Sequence, residues 1–414
     1  MLSKLRNAPT YVRKYGLSAA LRRSVAEVVG SPPPGHRGVV VEFYDAIFGH
    51  ETGTGDPEAA AAPADSVTWV IPNFSPNSGG HINILRMVYG LEKLGFTNQT
   101  VVVQEPHHWP SADAALQAIR QHFFPLQHLK VVLGCDAIPP SRFLVATGWQ
   151  TAYWVAKNRD AAHRIYFVQD FEPDFYATGA EHIFAEDTYR LGMFGMTAGD
   201  WLKEKLARDY GMPTAAFSFS FDRETYYRVP KRPKAKKQVF FYARPSTPRR
   251  AFEMGIMALR DVCAARDDVE VVLAGWNLRD YHIPFPHVDA KQLPVSRLAD
   301  LYSQCDAGLV LSLTNLSLLP LEMMACGCPV VINRGPNNDW LVGDDVAAKC
   351  DLTIASIAQT VLKTLEGGRP VETMVERALD FANRTTWDDQ ARKMADTLKA
   401  IDRSAAPASR SAAG

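Results

Sequence analysis

The 414-residue sequence has no run of about 18 apolar residues, so no membrane-spanning helix is predicted. Its charge has no dominant sign, with 45 Lys and Arg against 45 Asp and Glu. That balance disfavours a broadly cationic nucleic-acid binder, whose phosphate contacts need clustered Lys and Arg. Cysteine is scarce: six residues are too few for a disulfide scaffold or a four-ligand zinc pattern. Cys326-Gly-Cys328 has no second pair or His cluster, and the thiols read as small buried hydrophobes of a reducing compartment. No Gly-x-Gly-x-x-Gly follows a predicted strand, which argues against a nucleotide-dependent oxidoreductase. No Asp-x-Asp stands beside a predicted strand end in the second half. Asp344-Asp345 is adjacent rather than spaced and reads as a solvated loop, so no metal site is predicted. The N-terminus interleaves basic and polar residues with apolar ones, unlike a secretory signal, and a cytoplasmic location is expected.

What is present is ordinary globular composition, 47% hydrophobic and 22% charged, at a length that predicts two or three domains. Residues 1–65 hold a basic segment and a flexible loop. In residues 1–30, Lys4, Arg6, Arg13, Lys14, Arg22 and Arg23 alternate with apolar positions and face one acid, Glu27. Two readings fit: a helix on an anionic membrane surface, or a solvated helix packed on its own domain. From residue 66 to 227 short apolar runs alternate with helical stretches: Val67–Pro72, Thr100–Gln104, Lys130–Leu133, Phe143–Thr147, Ile165–Gln169 and Met193–Ala198. Strands separated by helices imply a parallel sheet covered on both faces. Residues 228–237 are polar, basic and Pro-interrupted, a linker composition that predicts a hinge. A second alternation fills 238–385, with strands Val239–Ala243, Val269–Ala274, Ala307–Leu313 and Pro329–Asn333 and helices Ala251–Ala265, Ser296–Gln304 and Leu318–Ala325. Residues 386–403 form a closing helix that crosses back to the first domain, and 404–414 read as disordered. The fold class is thus α/β, two doubly wound Rossmann-like domains facing a cleft at the carboxyl ends of both sheets.

Four segments could carry chemistry. After the strand ending at Ser312 comes a polar loop, then Leu318-Leu319-Pro320-Leu321-Glu322, then a glycine stop at Gly327. A helix start at Ser317–Leu321 offers N–H groups and a positive dipole end to a phosphate. Glu322 in its first turn is either a dipole partner or an acceptor for a sugar hydroxyl. Tyr242-Ala243-Arg244 through Arg249-Arg250 turns from strand to helix, and guanidinium forks there match phosphate oxygens. Asn77-Ser78-Gly79-Gly80-His81 follows the first strand, where two glycines let backbone approach a ligand. His81 reads as a helix N-terminal residue or a catalyst. Tyr166 to Tyr176 ends another strand with Asp170, Glu172 and Asp174 among aromatics, acids that can orient an acceptor hydroxyl or accept its proton. A turn with no ligand remains open at each of these places.

The Glu322-Met-Met-Ala-Cys-Gly-Cys-Pro-Val-Val run resembles the signature of glycosyltransferase family 4, a Glu-x7-Glu pair before Met-Ala-x-Gly-x-Pro-Val-Val. Glu322 matches the second Glu. The first falls at Thr314, so the chain departs from the pattern there. Arg244 and Arg250 fit the family's Gly-Arg-x6-Lys spacing, and Leu273-Ala-Gly275-Trp276 resembles its strand-end glycine. The wording of the Ser-Gly-Gly-His, Tyr-Phe-Val-Gln-Asp-Phe-Glu-Pro and Phe-Tyr-Ala-Arg-Pro segments is similar to WsaF-type rhamnosyltransferases. The resemblance covers about residues 66–385. It implies a GT-B architecture and retaining, metal-independent transfer of a deoxyhexose, from dTDP-β-L-rhamnose to a hydroxyl of a bacterial surface polysaccharide or lipid-linked glycan. No cofactor beyond the nucleotide-sugar donor is implied. Arg244, Arg250 and the Ser317, Leu318 and Leu319 helix start would stabilise the departing diphosphate. Glu322 would hold the ribose, residues 291–293 with Leu293 would lie near the base, Gly275 and His81 would join the nucleotide-sugar site, and Gly79 and Gly80 would close on the phosphates. Asp170 and Glu172 would orient the acceptor. The Thr314 departure fits a 6-deoxy sugar. A lipid-linked acceptor would bring the chain to the inner face of the plasma membrane, and a homodimer is compatible. A non-catalytic nucleotide-binding scaffold in a polysaccharide assembly complex and a sugar-nucleotide epimerase of the same fold are the alternatives.

Overall fold

A computed structural model describes residues 44, 47, 48, 62–75 and 78–405; the basic 1–30 segment, Asn77 and the tail beyond 405 lie outside the described residues. The Tyr44 and Phe48 rings stack 6.0 Å apart. The rest of the structure belongs to the unit that begins at Gly53.

In its first half, apolar runs make β1 (Ser66–Ile71), β2 (Asn98–Val103), β3 (Lys130–Leu133), β4 (Ser141–Ala146), β5 (Ala161–Val168), β6 (Phe194–Ala198) and β7 (Thr214–Phe217). They form one sheet in the order β3-β2-β1-β4-β5-β6-β7, every adjacent pair parallel. Every residue of β1 is buried, as a central strand covered on both faces requires. The covering helices are α1 (Gly79–Lys93), α2 (Ala112–His122), α3 (Trp149–Lys157), α4 (Ala180–Asp187) and α5 (Asp200–Tyr210).

The second half repeats the plan. β8 (Lys237–Tyr242), β9 (Val269–Ala274), β10 (His287–Lys291), β11 (Ala307–Val310), β12 (Val330–Asn333) and β13 (Ala348–Cys350) pair in parallel in the order β10-β9-β8-β11-β12-β13. With them come α6 (Phe252–Ala265), α7 (Leu298–Gln304), α8 (Leu319–Ala325), α9 (Pro336–Asp339), α10 (Ile354–Glu366), α11 (Arg369–Ala382) and α12 (Trp387–Ala405). In each sheet the chain starts at the centre, winds outward, then crosses to the other side. The crossings leave one switch point between β1 and β4 and another between β8 and β11, the places where such sheets hold ligands.

Two sequence expectations change in ways that matter for the site. The strand read as Ala307–Leu313 ends at Val310, so Leu311–Leu318 is a loop beside the second switch point. The basic stretch 228–237 is a strap rather than a free tether. Val229 N–H donates to Ser303 Oγ at 2.9 Å and Arg232 N–H to Gln304 Oε1 at 2.8 Å. Lys231 and Lys234 pair with Asp306, and Arg232 with Asp300 at 2.9 Å. These bonds fasten the stretch to α7 and to Asp306 just beyond it.

The closing helix α12 lies on α1 of the first half. Gly90 makes the close approach possible: a Cβ there would come within 2.5 Å of Ala391 Cβ. Lys93 reaches Asp388 at 2.7 Å, and Asp402 takes both His163, at 2.9 Å, and Arg142. A second cross-contact sits at Gly199, whose φ of +96° and missing side chain admit the Trp340 ring; a Cβ would lie 2.5 Å from it.

Candidate active site at the cleft

Beyond β8 the chain makes a tight turn, with Thr247 N–H donating to Arg244 C=O at 2.9 Å, and a short 3-10 turn at Pro248–Arg250 leads into α6. This geometry sets three guanidiniums at the second switch point. Arg244 lies near the Tyr242 and Trp276 rings, 5.7 and 5.6 Å from their centroids, and donates to Tyr242 Oη at 3.2 Å. Arg249 lies 4.0 Å over the Phe175 ring of the first domain, with Nε 3.8 Å from Asp170 Oδ2. Arg250 donates to Ser312 Oγ and, at 3.4 Å, to the Asn315 carbonyl. Burial pulls the Arg249 and Arg250 proton affinities down, Asp170 opposes the fall, and repulsion among the three arginines adds to it. The buried Nε groups of Arg244 and Arg249 have no hydrogen-bond acceptor among the described residues. A buried donor left without an acceptor costs about 1–3 kcal/mol. An anion brought among the three arginines supplies acceptors for such donors.

Asp170 follows β5 and belongs to the first domain, yet its partners are in the second. Oδ1 accepts Asn315 N–H at 2.7 Å, and Oδ2 accepts the Thr314 hydroxyl at 2.8 Å. Oδ1 also takes the Phe171 N–H at 2.9 Å. Burial raises its pKa, against the pull of Arg250, Asn315, Thr314 and Arg249. Asn315 ties the same seam: Nδ2 donates to the carbonyls of Gln169 at 2.9 Å and Ala198 at 2.8 Å, and Oδ1 accepts Trp340 Nε1–H at 2.9 Å. At 8% exposure, Asp170 has its oxygens committed to protein donors. The expectation that it orients an acceptor hydroxyl gives way to a role inside the seam.

Glu172 is likewise withdrawn. Its Oε2 accepts Trp149 N–H at 2.7 Å, at the start of α3, and its Oε1 accepts the Tyr166 hydroxyl at 2.9 Å. Burial pushes its pKa up to about 7 in spite of these donors. It anchors α3 to β5 instead of facing an acceptor. His81 sits in the first turn of α1 with Nδ1 2.8 Å from Ser78 Oγ and Nε2 3.3 Å from the Pro72 carbonyl. Burial lowers its pKa, which favours a neutral ring fixed by both nitrogens. Gly79 has open space where a side chain would stand, and the Gly80 carbonyl accepts Gln169 Nε2–H at 3.1 Å.

On the second domain, Glu322 is half-buried on α8, with its pKa pushed up to about 7 by burial; a hydrogen bond from Tyr226 and the nearby Arg86 charge work against the rise. Ser317 and Leu318 are half-buried and Leu319 is buried at the start of α8. That helix has only seven residues, so its dipole is short. Gly275, at φ +111°, closes β9, and its N–H donates to the Lys291 carbonyl at 2.7 Å, bringing the half-buried Leu293 segment beside it. A side chain at Gly275 would meet the Tyr242 ring at 2.5 Å.

Three residues gain weight that sequence reasoning did not give them. Arg249 completes the arginine cluster, and its place within the Pro-Arg-Arg turn was the available signal. Asn315 and Arg86 had none. Arg86, on α1, feels the charges of Asp222 and Glu322, and its buried Nε has no hydrogen-bond acceptor among the described residues.

Comparison with known proteins agrees with this plan. Residues 237–362 match the family model described as the WsaF C-terminal domain. The O-antigen biosynthesis protein RfbC of Myxococcus xanthus is 31% identical over 350 residues, covering 80% of this chain. The chain spans only 26% of that relative's length. Among solved structures, sucrose-phosphate synthase from Thermosynechococcus elongatus superposes with a TM-score of 0.63 at 11% identity, covering 82% of this chain and 99% of the other. Anabaena HepE, in complex with UDP and glucose, gives 0.62 at 14% identity, covering 81% and 99%. WaaG, a glycosyltransferase involved in lipopolysaccharide biosynthesis, gives 0.59 at 11% identity, covering 80% and 99%. The architecture is GT-B. Its cleft in this chain is the seam where Asp170, Thr314, Asn315 and Arg249 meet.

Proposed function

We propose that the chain is a glycosyltransferase acting in the synthesis of a bacterial surface polysaccharide. It moves a deoxyhexose, L-rhamnose from dTDP-β-L-rhamnose, to a hydroxyl of a growing glycan or lipid-linked glycan, with retention and without a metal ion. The observation that carries the reading is the cluster of Arg244, Arg249 and Arg250 at the second switch point, with two buried N–H groups lacking acceptors. In such a transfer the bond from sugar C1 to the diphosphate breaks and charge grows on the leaving oxygen. Fixed guanidiniums aimed at that place stabilise it and stay charged at every relevant pH. Glu322 holds the ribose, Gly275 and Leu293 border the base, and Gly79 and Gly80 face the donor from the first domain. Support comes from the WsaF C-terminal match, from the O-antigen relative and from the nucleotide named in the HepE complex. Among the described residues no helix is long and apolar enough to cross a membrane. Under this proposal the chain works at the inner face of the plasma membrane, brought there by its acceptor.

The test is chromatographic release of nucleoside diphosphate from dTDP-β-L-rhamnose and from UDP-glucose, each with and without a lipid-linked glycan. Acceptor-dependent release of dTDP is the expected result. Release of UDP alone would keep the transferase and discard rhamnose. No release from either donor would favour the scaffold.

A further inference from the structure

The Leu311–Leu318 loop and Arg249 belong to the second domain, and one carboxylate of the first holds both. Asp170 takes the Asn315 N–H at 2.7 Å and the Thr314 hydroxyl at 2.8 Å, with Arg249 Nε 3.8 Å from Oδ2. Arg249 is gripped from its other side by the Phe175 ring at 4.0 Å, also of the first domain. Arg250 bonds the same loop at Ser312 Oγ and the Asn315 carbonyl. Hydrogen bonds therefore join the loop, Arg250 and the first domain, and Arg249 adds an ion-pair contact at 3.8 Å, with Asp170 at the centre. A buried carboxylate keeps its donors in place, because separating them leaves charge without partners in a medium of low polarity.

From this network we infer that Asp170 is a positioning residue, acting through Thr314, Asn315 and Arg249: it shapes the diphosphate site from the opposite domain, so that the site is complete only when the cleft is closed. The inference rests on the nucleotide-binding reading. It requires that one carboxylate, and only one, occupy the seam. A second acid at position 314 would face Asp170 and repel it.

The test is calorimetric titration of the full chain with dTDP and with UDP, on the wild type and on Thr314→Val, Thr314→Ser, Thr314→Glu and the double variant Asp170→Asn/Thr314→Glu. Thr314→Val removes one hydrogen bond to a charged group and is expected to weaken binding about tenfold. Thr314→Ser restores the hydroxyl and returns affinity to within about twofold of wild type. Thr314→Glu weakens binding further, and adding Asp170→Asn recovers part of the loss, because a single carboxylate remains. A contact that only braces the fold would move the melting midpoint without separating valine from serine in affinity. It would also make the double variant worse than Thr314→Glu. Equal affinity in the valine and serine variants, or no recovery in the double variant, overturns the inference while wild-type binding stands. Wild-type protein that binds neither nucleotide overturns both the inference and the reading beneath it.

Discussion

At the first switch point, between β1 and β4, His81 and Glu172 are bonded within the protein. His81 is held by Ser78 and Pro72, and Glu172 by the Trp149 N–H and the Tyr166 hydroxyl. At the second, between β8 and β11, Arg244 and Arg249 keep buried N–H groups without acceptors. The two places have the same topology, yet the histidine and glutamate of one are bonded within the protein while the other keeps two buried guanidinium N–H groups unbonded. Sequence motifs of similar appearance, Ser-Gly-Gly-His and Arg-Pro-Ser-Thr-Pro-Arg-Arg, therefore carry different weight.

The most damaging way to break that contrast is Arg250→Ala. It takes from Asp170 its strongest opposing charge and removes the guanidinium's hydrogen bonds to Ser312 Oγ and the Asn315 carbonyl. Two hydrogen bonds from a charged group are lost, each worth about 1.5–3 kcal/mol, so urea denaturation should show a loss of their combined size together with loss of nucleotide binding. Next is Gly199→Ala, which puts a Cβ at φ +96° within 2.5 Å of the Trp340 ring. Overpacking of this kind costs about 1–3 kcal/mol, read as a lower midpoint in the same denaturation experiment.

A third test sharpens the contrast through pH. Glu172 and Glu322 are both raised from 4.5 to about 7, chiefly by burial. The folded state therefore binds their protons more tightly than the unfolded chain does. Their contribution to stability is complete below pH 4.5 and is lost as the pH rises to about 7, after which it changes no further. Melting midpoints should fall across that window through these two groups, and Glu172→Gln should lessen the fall while nucleotide affinity stays unchanged. A slope unaltered by this substitution would contradict the account of Glu172.

Most of the two-sheet plan was legible because its central strands are continuous apolar runs. β7, β10 and β13 were missed for a physical reason. They are edge strands of three to five residues, partly exposed, and the edge tolerates polar positions such as His287, Asp289 and Lys349. The arginine turn was legible as a cluster of cations because strand, turn and cation occur together in sequence. The seam was not: Asp170 and Thr314 are 144 positions apart, and only the folded chain shows that the threonine faces an acid. The same limit explains the acceptor role expected of Asp170 and Glu172. Strand-end acids look alike in sequence whether they face solvent or lie buried among donors.

The central claim is that the anion site lies at the second switch point and not the first. Calorimetric titration with dTDP on the wild type, Arg244→Ala and His81→Ala tests it most directly. The account predicts micromolar binding by the wild type, a loss of about tenfold or more in Arg244→Ala, and affinity within about twofold of wild type in His81→Ala. Full affinity in Arg244→Ala, or an equal loss in both variants, would contradict it.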